Sequence, residues 1–259
     1  MYNLKKALLN QSKYISGYVN ENDDYVISAS MVGREPLQNY LDIIYGKQEV
    51  DDITDMFIGS CFHEGMRTYM NKEANYDKSI IGVEKPLHTK LSNGWIISGT
   101  ADLIVTDNDT VEIHDYKTTK AYAVKMFDKE PLSHQYNMQL NVLGYLWKQM
   151  HPSFEGEIKL VLDFFVKDAD KLKSEPTLVQ REVQQLTNKE IEETLLQKTN
   201  ELQSYIESGQ IPPKCEQLWP RKVNGVFMNS RCEIWCQFKR ICPHYESPYN
   251  KDTAMLTNF

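Results

Sequence analysis

A four-residue turn constrains this chain more than any other feature. Asp107-Asn108-Asp109-Thr110 lies between two runs of β-branched and aromatic residues, 94–106 and 110–118, and reads as a tight hairpin. With Asn108 and Asp109 as the two loop residues, Asp107 pairs with Thr110 and Thr106 with Val111. Counting on down the ladder, Asp102 falls opposite Asp115. Directly opposed residues point to one face, with side chains roughly 5 Å apart. Strand alternation adds Lys117 to that face and turns His114 to the other.

Two carboxylates facing each other destabilise a sheet unless something compensates. A bound Mg²⁺ or Mn²⁺ does so, because hard cations prefer oxygen ligands. Such an ion polarises a phosphoryl oxygen and lowers the pKa of its water. A lysine beside it can orient or deprotonate the attacking water, or stabilise charge on the phosphate. The same residue types also suit a salt-bridged pair on a solvated sheet face, and local spacing leaves both readings open.

The rest of the chain supplies helices around these strands. The stretch 28–46 opens with serines suited to capping and carries apolar residues at helical spacing. A second helix is expected over 52–73, with Asp51 or Asp52 near its start. Strands follow at 80–91, 94–106 and 110–118. Then come a helix at about 132–150, strands in GEIKLVLDFFV and TLVQREVQQL, and an amphipathic helix at about 188–208. Gly209 and Pro212-Pro213 end it. Helices flanking a central mixed sheet give an α/β or α+β domain.

Composition narrows the function classes. Hydrophobic residues at 41% and charged residues at 25% are ordinary for a globular protein. No apolar run approaches the ~20 residues of a membrane helix, and the first residues lack the apolar core of a secretory signal. The expected location is cytoplasmic. A compact protein of this kind also suits a virus or mobile element working in a host cytoplasm. The net charge of −7 argues against a surface coated in positive charge for nucleic acid. It leaves room for a metal-loaded carboxylate site, where the cation restores positive charge.

GTADLIV followed by VEIHDYKTTKAY resembles the Gly-x-x-Asp … Asp/Glu-x-Lys signature of the PD-(D/E)XK nuclease superfamily, and within it the RecB-like exonucleases. The resemblance covers about residues 55–150 by motif order. It implies a restriction-endonuclease-like sheet and metal-dependent hydrolysis of DNA phosphodiesters. It implies catalytic roles for Asp102, Asp115 and Lys117. It implies metal ligands at His63 (in GSCFHEGM), Asp102, Asp115 and the backbone carbonyl of Tyr116. A further family motif, Gln-x-x-x-Tyr on the next helix, is only partly matched. Gln139 is favoured over Gln135 as the DNA-contacting residue, although Tyr145 lies two positions past the motif spacing.

Cys215, Cys232, Cys236 and Cys242 gather toward the C-terminal end, and such a cluster reads as a metal site before it reads as disulfides. CEIWCQFKRIC resembles the C-terminal cysteine cluster of iron–sulfur RecB-like nucleases, with one residue more between Cys232 and Cys236 and with Cys215 in place of an N-terminal cysteine. A [4Fe–4S] cluster ranks first, since four thiolates with Trp235 and Phe238 nearby suit it. Zn²⁺ stays open. Cys61, two positions from His63, is expected to be a small buried hydrophobe.

The expected organisation is an N-terminal helical segment (1–50), a nuclease core (51–210) and a cysteine-rich clasp packed on it (211–259). The expected function is a DNA exonuclease of recombination, repair or end processing, acting on ends or single-stranded tails beside a helicase or annealing protein. The alternative is a non-catalytic DNA-binding or adaptor subunit on the same fold. Polarity, strand preference and oligomeric state are not encoded in any motif.

Overall fold

The computed structural model describes residues 25–46, 48, 54–130, 135–171, 177–216, 220–223 and 226–246. Residues 1–24 of the expected helical segment, the caps at Asp51 or Asp52, and His134 lie outside the described residues. In chain order the elements are β1 (Val26–Ser28), α1 (Ala29–Val32), α2 (Pro36–Tyr45), α3 (Thr54–Glu73), β2 (Ile80–Lys90), β3 (Ile96–Asp107), β4 (Thr110–Thr119), α4 (Ala121–Lys129), α5 (Gln135–Met150), β5 (Glu157–Val166), β6 (Leu178–Glu182), α6 (Asn188–Ser208), β7 (Pro220–Val223) and β8 (Val226–Asn229). They belong to two compact units, one of residues 17–34 and 52–200, the other of residues 1–16, 35–51 and 201–259.

The first unit is built on a mixed sheet of β1 to β6. The turn between β3 and β4 forms where the sequence places it. Asn108 takes a left-handed φ of 53°, which asparagine tolerates better than most residues. The antiparallel register runs from Asp107↔Thr110 to Leu103↔His114. β2 lies antiparallel along the whole of β3, from Lys90↔Ile96 to Ile80↔Val105. The opposite edge of β3 is therefore divided between β4 and β1, which runs parallel to Ile96–Ser98. Past Leu103↔His114, β4 continues alongside β5 in parallel, through Asp115↔Leu162 and Lys117↔Phe164. The sheet thus forks at Asp102 and Asp115.

Apolar packing fixes the helices against this sheet. α5 buries Leu140, Val142, Leu143 and Leu146, and the strands bury Ile97, Ile104, Ile113, Leu160, Leu162 and Phe164. Burial of such side chains is worth roughly 1.5–3 kcal/mol each. Gly99 lets α5 approach β3, because a Cβ there would stand 2.6 Å from Leu143 Cδ2 and 3.1 Å from the Ala29 Cβ. α3 sets Phe62 on Phe165, with ring centroids 3.9 Å apart. α6 starts with a capping box: Thr187 N–H donates to Glu190 Oε2 (2.7 Å), and Glu190 N–H donates to Thr187 Oγ1 (3.2 Å).

The second unit is held by polar contacts around a buried arginine. Arg231 is 7% exposed, and its guanidinium donates to Glu35 Oε1 (2.9 Å) and Gln38 Oε1 (2.8 Å) at the start of α2. Nearby, the Tyr245 hydroxyl donates to Glu233 Oε2 at 3.0 Å. β7 and β8 form a two-stranded hairpin, followed by a π-helical turn over Arg231–Trp235.

The helices depart from the sequence reading in two places. The single helix expected over 28–46 is instead β1, α1 and α2. Pro36 opens α2 and holds Glu35 extended (φ −70°, ψ 148°), as a residue before proline prefers. The helix α4 was not expected. It is short, and its buried residues are Ala121, Val124 and Phe127. No helix among the described residues is long and apolar enough to cross a membrane.

Candidate active site

The fork in the sheet releases backbone and side-chain groups that a continuous ladder would occupy. The Tyr116 N–H, two residues past the last opposed position at His114, donates to Asp102 Oδ2 at 2.6 Å. That bond fixes the Asp102 carboxylate, which is 7% exposed. Its other oxygen lies 3.4 Å from His63 Nδ1, on α3. Glu84 completes the group, with Oε1 3.9 Å from the same nitrogen. One ligand atom each from His63, Glu84 and Asp102 falls within 4.8 Å of the others, and among the described residues this is the group suited to a cation. An octahedral ion with bonds of about 2.1 Å spans about 4.2 Å between opposite ligands, so the trio fits Mg²⁺ or Mn²⁺ after small side-chain adjustments.

Asp115 and Lys117 stand on β4 beside this trio. Asp115 is 2% exposed and forms an ion pair with Lys117 through Oδ2. Its Oδ1 accepts from Gln139 Nε2, on α5, at 2.8 Å. Lys117 Nζ also lies over the Tyr136 ring, 5.1 Å from its centroid. Burial pushes the Asp115 carboxyl up, Lys117 draws it back, and the charge of Asp102 adds to the rise. Burial opposes the Lys117 ammonium, but the Asp115 carboxylate outweighs it and leaves the pKa raised. The pKa of His63 is pushed up to about 10, by hydrogen bonding to Asp102 first and Glu84 second, against burial. A metal-free His63 is therefore protonated at neutral pH, and a cation bound there displaces a proton.

The site residues expected from sequence separate into two layers. His63 and Asp102 sit together in the cation trio. Buried Asp115 and half-buried Lys117 and Gln139 form a second layer next to it. Glu84 was not singled out, although a register count reveals it. With Ser92, Asn93 and Gly94 as the loop, the ladder from Lys90↔Ile96 carries Glu84 to the position opposite Asp102. There the strand is distorted, with Glu84 at φ 48°. His114 points away as expected: its Nδ1 bonds Asp163 Oδ2 at 2.8 Å, and Gln180 Nε2 donates to Asp163 Oδ1 at 2.6 Å. Cys61 is a correction. It is exposed, since α3 packs through Phe62, about 100° further round the helix. Glu64 is bound to Arg67 (2.6 Å) on the solvent side.

In the second unit, Cys215, Cys232, Cys236 and Cys242 are all half-buried. Burial is the largest influence on the thiols of Cys215, Cys232 and Cys242. The Cys215 thiol is pushed up to about 11, by burial first and partly by Cys232 and Cys236. Cys232 is raised by burial and by Cys236 and Cys242. Asn229 Nδ2 donates to Cys232 Sγ at 3.3 Å. The side chain of Trp235 lies outside the description, while Phe238 is buried.

Fold and site together define a metal-dependent nuclease. A family model of the PD-(D/E)XK nuclease superfamily matches residues 47–243, and the chain belongs to that superfamily. The mixed sheet flanked by helices is its restriction-endonuclease-like architecture. The crystal structure of SSO0001 is similar in fold, with a TM-score of 0.57 and 18% sequence identity over 95% of this chain and 99% of that one. No curated protein matches the chain in sequence.

Proposed function

We propose that the chain is a Mg²⁺- or Mn²⁺-dependent DNA exonuclease of the RecB-like group, processing ends or single-stranded tails in recombination or repair. The observation that carries the reading is the placement of the His63, Glu84 and Asp102 trio beside the buried Asp115–Lys117 pair. His63, Glu84 and Asp102 would hold the cation, with Asp115 and the Tyr116 carbonyl completing its ligands. When bound, the ion supplies positive charge at the scissile phosphate and acidifies water. Lys117 then orients the attacking water or stabilises charge developing on the phosphate. Gln139 holds Asp115 in place through the bond at 2.8 Å.

The test uses end-labelled linear and circular DNA, single- and double-stranded, with Mg²⁺ or Mn²⁺ and with chelator. Loss of linear DNA alone, abolished by chelator, is the expected result. Cleavage of circles at the same rate overturns the exonuclease assignment. An intact, metal-loaded protein that cleaves none of them overturns the nuclease and leaves the adaptor.

We further propose a [4Fe–4S] cluster on Cys215, Cys232, Cys236 and Cys242. The thiols support it: all four are half-buried, burial and the charge of neighbouring cysteines both raise Cys215 and Cys232, and an iron–sulfur core would take up that charge. Cys236→Ser is expected to lower the folding yield and melting temperature more than the rate of the remaining folded enzyme, because the group acts as a clasp. The readout is iron and sulfide content with thermal melting. A soluble, stable, fully active Cys236→Ser protein lacking metal overturns it, and stoichiometric zinc in place of iron overturns the cluster.

A further inference from the structure

Lys117 has a contact that does not belong to its ion pair. Its Nζ stands 5.1 Å from the centroid of the Tyr136 ring, on the helix that also brings Gln139 to Asp115. The ring is itself held, with its centroid 6.3 Å from that of Phe164. Phe164 is fully buried and lies opposite Lys117 in the parallel ladder of β4 and β5. Tyr136 and Gln139 are three residues apart on α5, so they share one helix face. That face meets both members of the Asp115–Lys117 pair.

We infer that Tyr136 is a positioning residue for Lys117, a step that rests on the nuclease reading above. A lysine is a point charge on a flexible four-carbon stem, and its ammonium stays in one place only while something holds it. In the metal-free protein Asp115 does so. Once Asp115 is also drawn toward a cation, its charge is shared and its pull on Lys117 weakens. The ring face of Tyr136 is unaffected by that change. It carries no charge, ligates nothing, and attracts the ammonium through its quadrupole in both states. Lys117 is thereby kept at the reaction centre when the site is loaded. Asp115 then serves the cation without releasing its strand neighbour.

The prediction separates ring from hydroxyl. Tyr136→Phe keeps the aromatic face, and Tyr136→Leu keeps only apolar volume. Tyr136→Phe is expected to hold kcat within about twofold of wild type, while Tyr136→Leu loses about tenfold in kcat with KM and the Mg²⁺ midpoint unchanged. A merely structural role would move Tm and KM together and would not be rescued by phenylalanine. The second measurement needs no catalysis. NMR of the metal-free protein should show the Lys117 side-chain protons shifted upfield by the ring in wild type and Tyr136→Phe, and not in Tyr136→Leu. Equal kcat for the leucine and phenylalanine variants overturns the inference, as does a wild-type Lys117 without the ring shift. A wild type that shows the shift but cleaves no DNA overturns the nuclease reading instead.

Discussion

Asp102→Asn is expected to reduce cleavage by about a thousandfold or more, the scale seen when a group stabilising transition-state charge is removed. Asparagine is nearly isosteric, and its amide oxygen can still accept the Tyr116 N–H that Asp102 Oδ2 now accepts at 2.6 Å. The fork in the sheet therefore keeps its closing bond. What disappears is one negative charge from the trio of His63, Glu84 and Asp102. His63 loses the partner that raises its pKa most. Glu84 then remains the only carboxylate of that group, with Asp115 beside it, and a divalent cation that loses one of its carboxylates is held more weakly. Initial rates on end-labelled DNA at saturating Mg²⁺, with calorimetric metal titration and thermal melting, give the three readouts. Activity and metal affinity should collapse while the melting temperature stays within a few degrees of wild type. Wild-type cleavage by Asp102→Asn would place the chemistry elsewhere in the molecule.

Much of this site was legible because it hangs on one short turn. Asn108 and Asp109 mark the reversal chemically, and once it is placed, counting alone brings Asp102 near Asp115. Counting does not reveal where the ladder stops. The antiparallel ladder ends at Leu103↔His114, and β1 takes the same edge of β3 further along, at Ile96–Ser98. β1 is only Val26–Ser28, too short for a periodic signal, and it is followed by serines that look like the start of a helix. Glu84 was hidden for a related reason. Its role depends on the register of a second hairpin and on a local distortion at φ 48°, and neither leaves a mark in residue type. From sequence Gln139 is expected to contact DNA. Helical spacing showed that Gln135 and Gln139 share a face, and only the docked helix shows Gln139 bonded to Asp115. The thiols are the reverse case. Their grouping in the sequence suggests a site with Cys215 as its fourth member, but thiolate ligands alone do not say which metal they would hold.

Lys117→Met should damage both chemistry and fold, and the two losses have different causes. Methionine matches the length and apolar stem of lysine but carries no charge. Cleavage is expected to fall by about a hundredfold to ten-thousandfold, the range for removing a positioned acid–base or charge-stabilising group. The stability loss follows from Asp115, which is 2% exposed and paired with Lys117. Removing one partner of a buried pair leaves the other charge uncompensated, a change of about 3–5 kcal/mol before relaxation. Gln139 still donates to Asp115, so the loss should fall at the lower end of that range. Denaturant melts in chelator at neutral pH measure it. Mg²⁺ should then restore much of the stability of Lys117→Met, since a cation beside Asp115 replaces the missing charge, yet restore none of the cleavage. That outcome would separate a charge that serves the fold from an ammonium that serves the reaction. A variant that regains activity along with stability would reduce Lys117 to a counter-ion for Asp115.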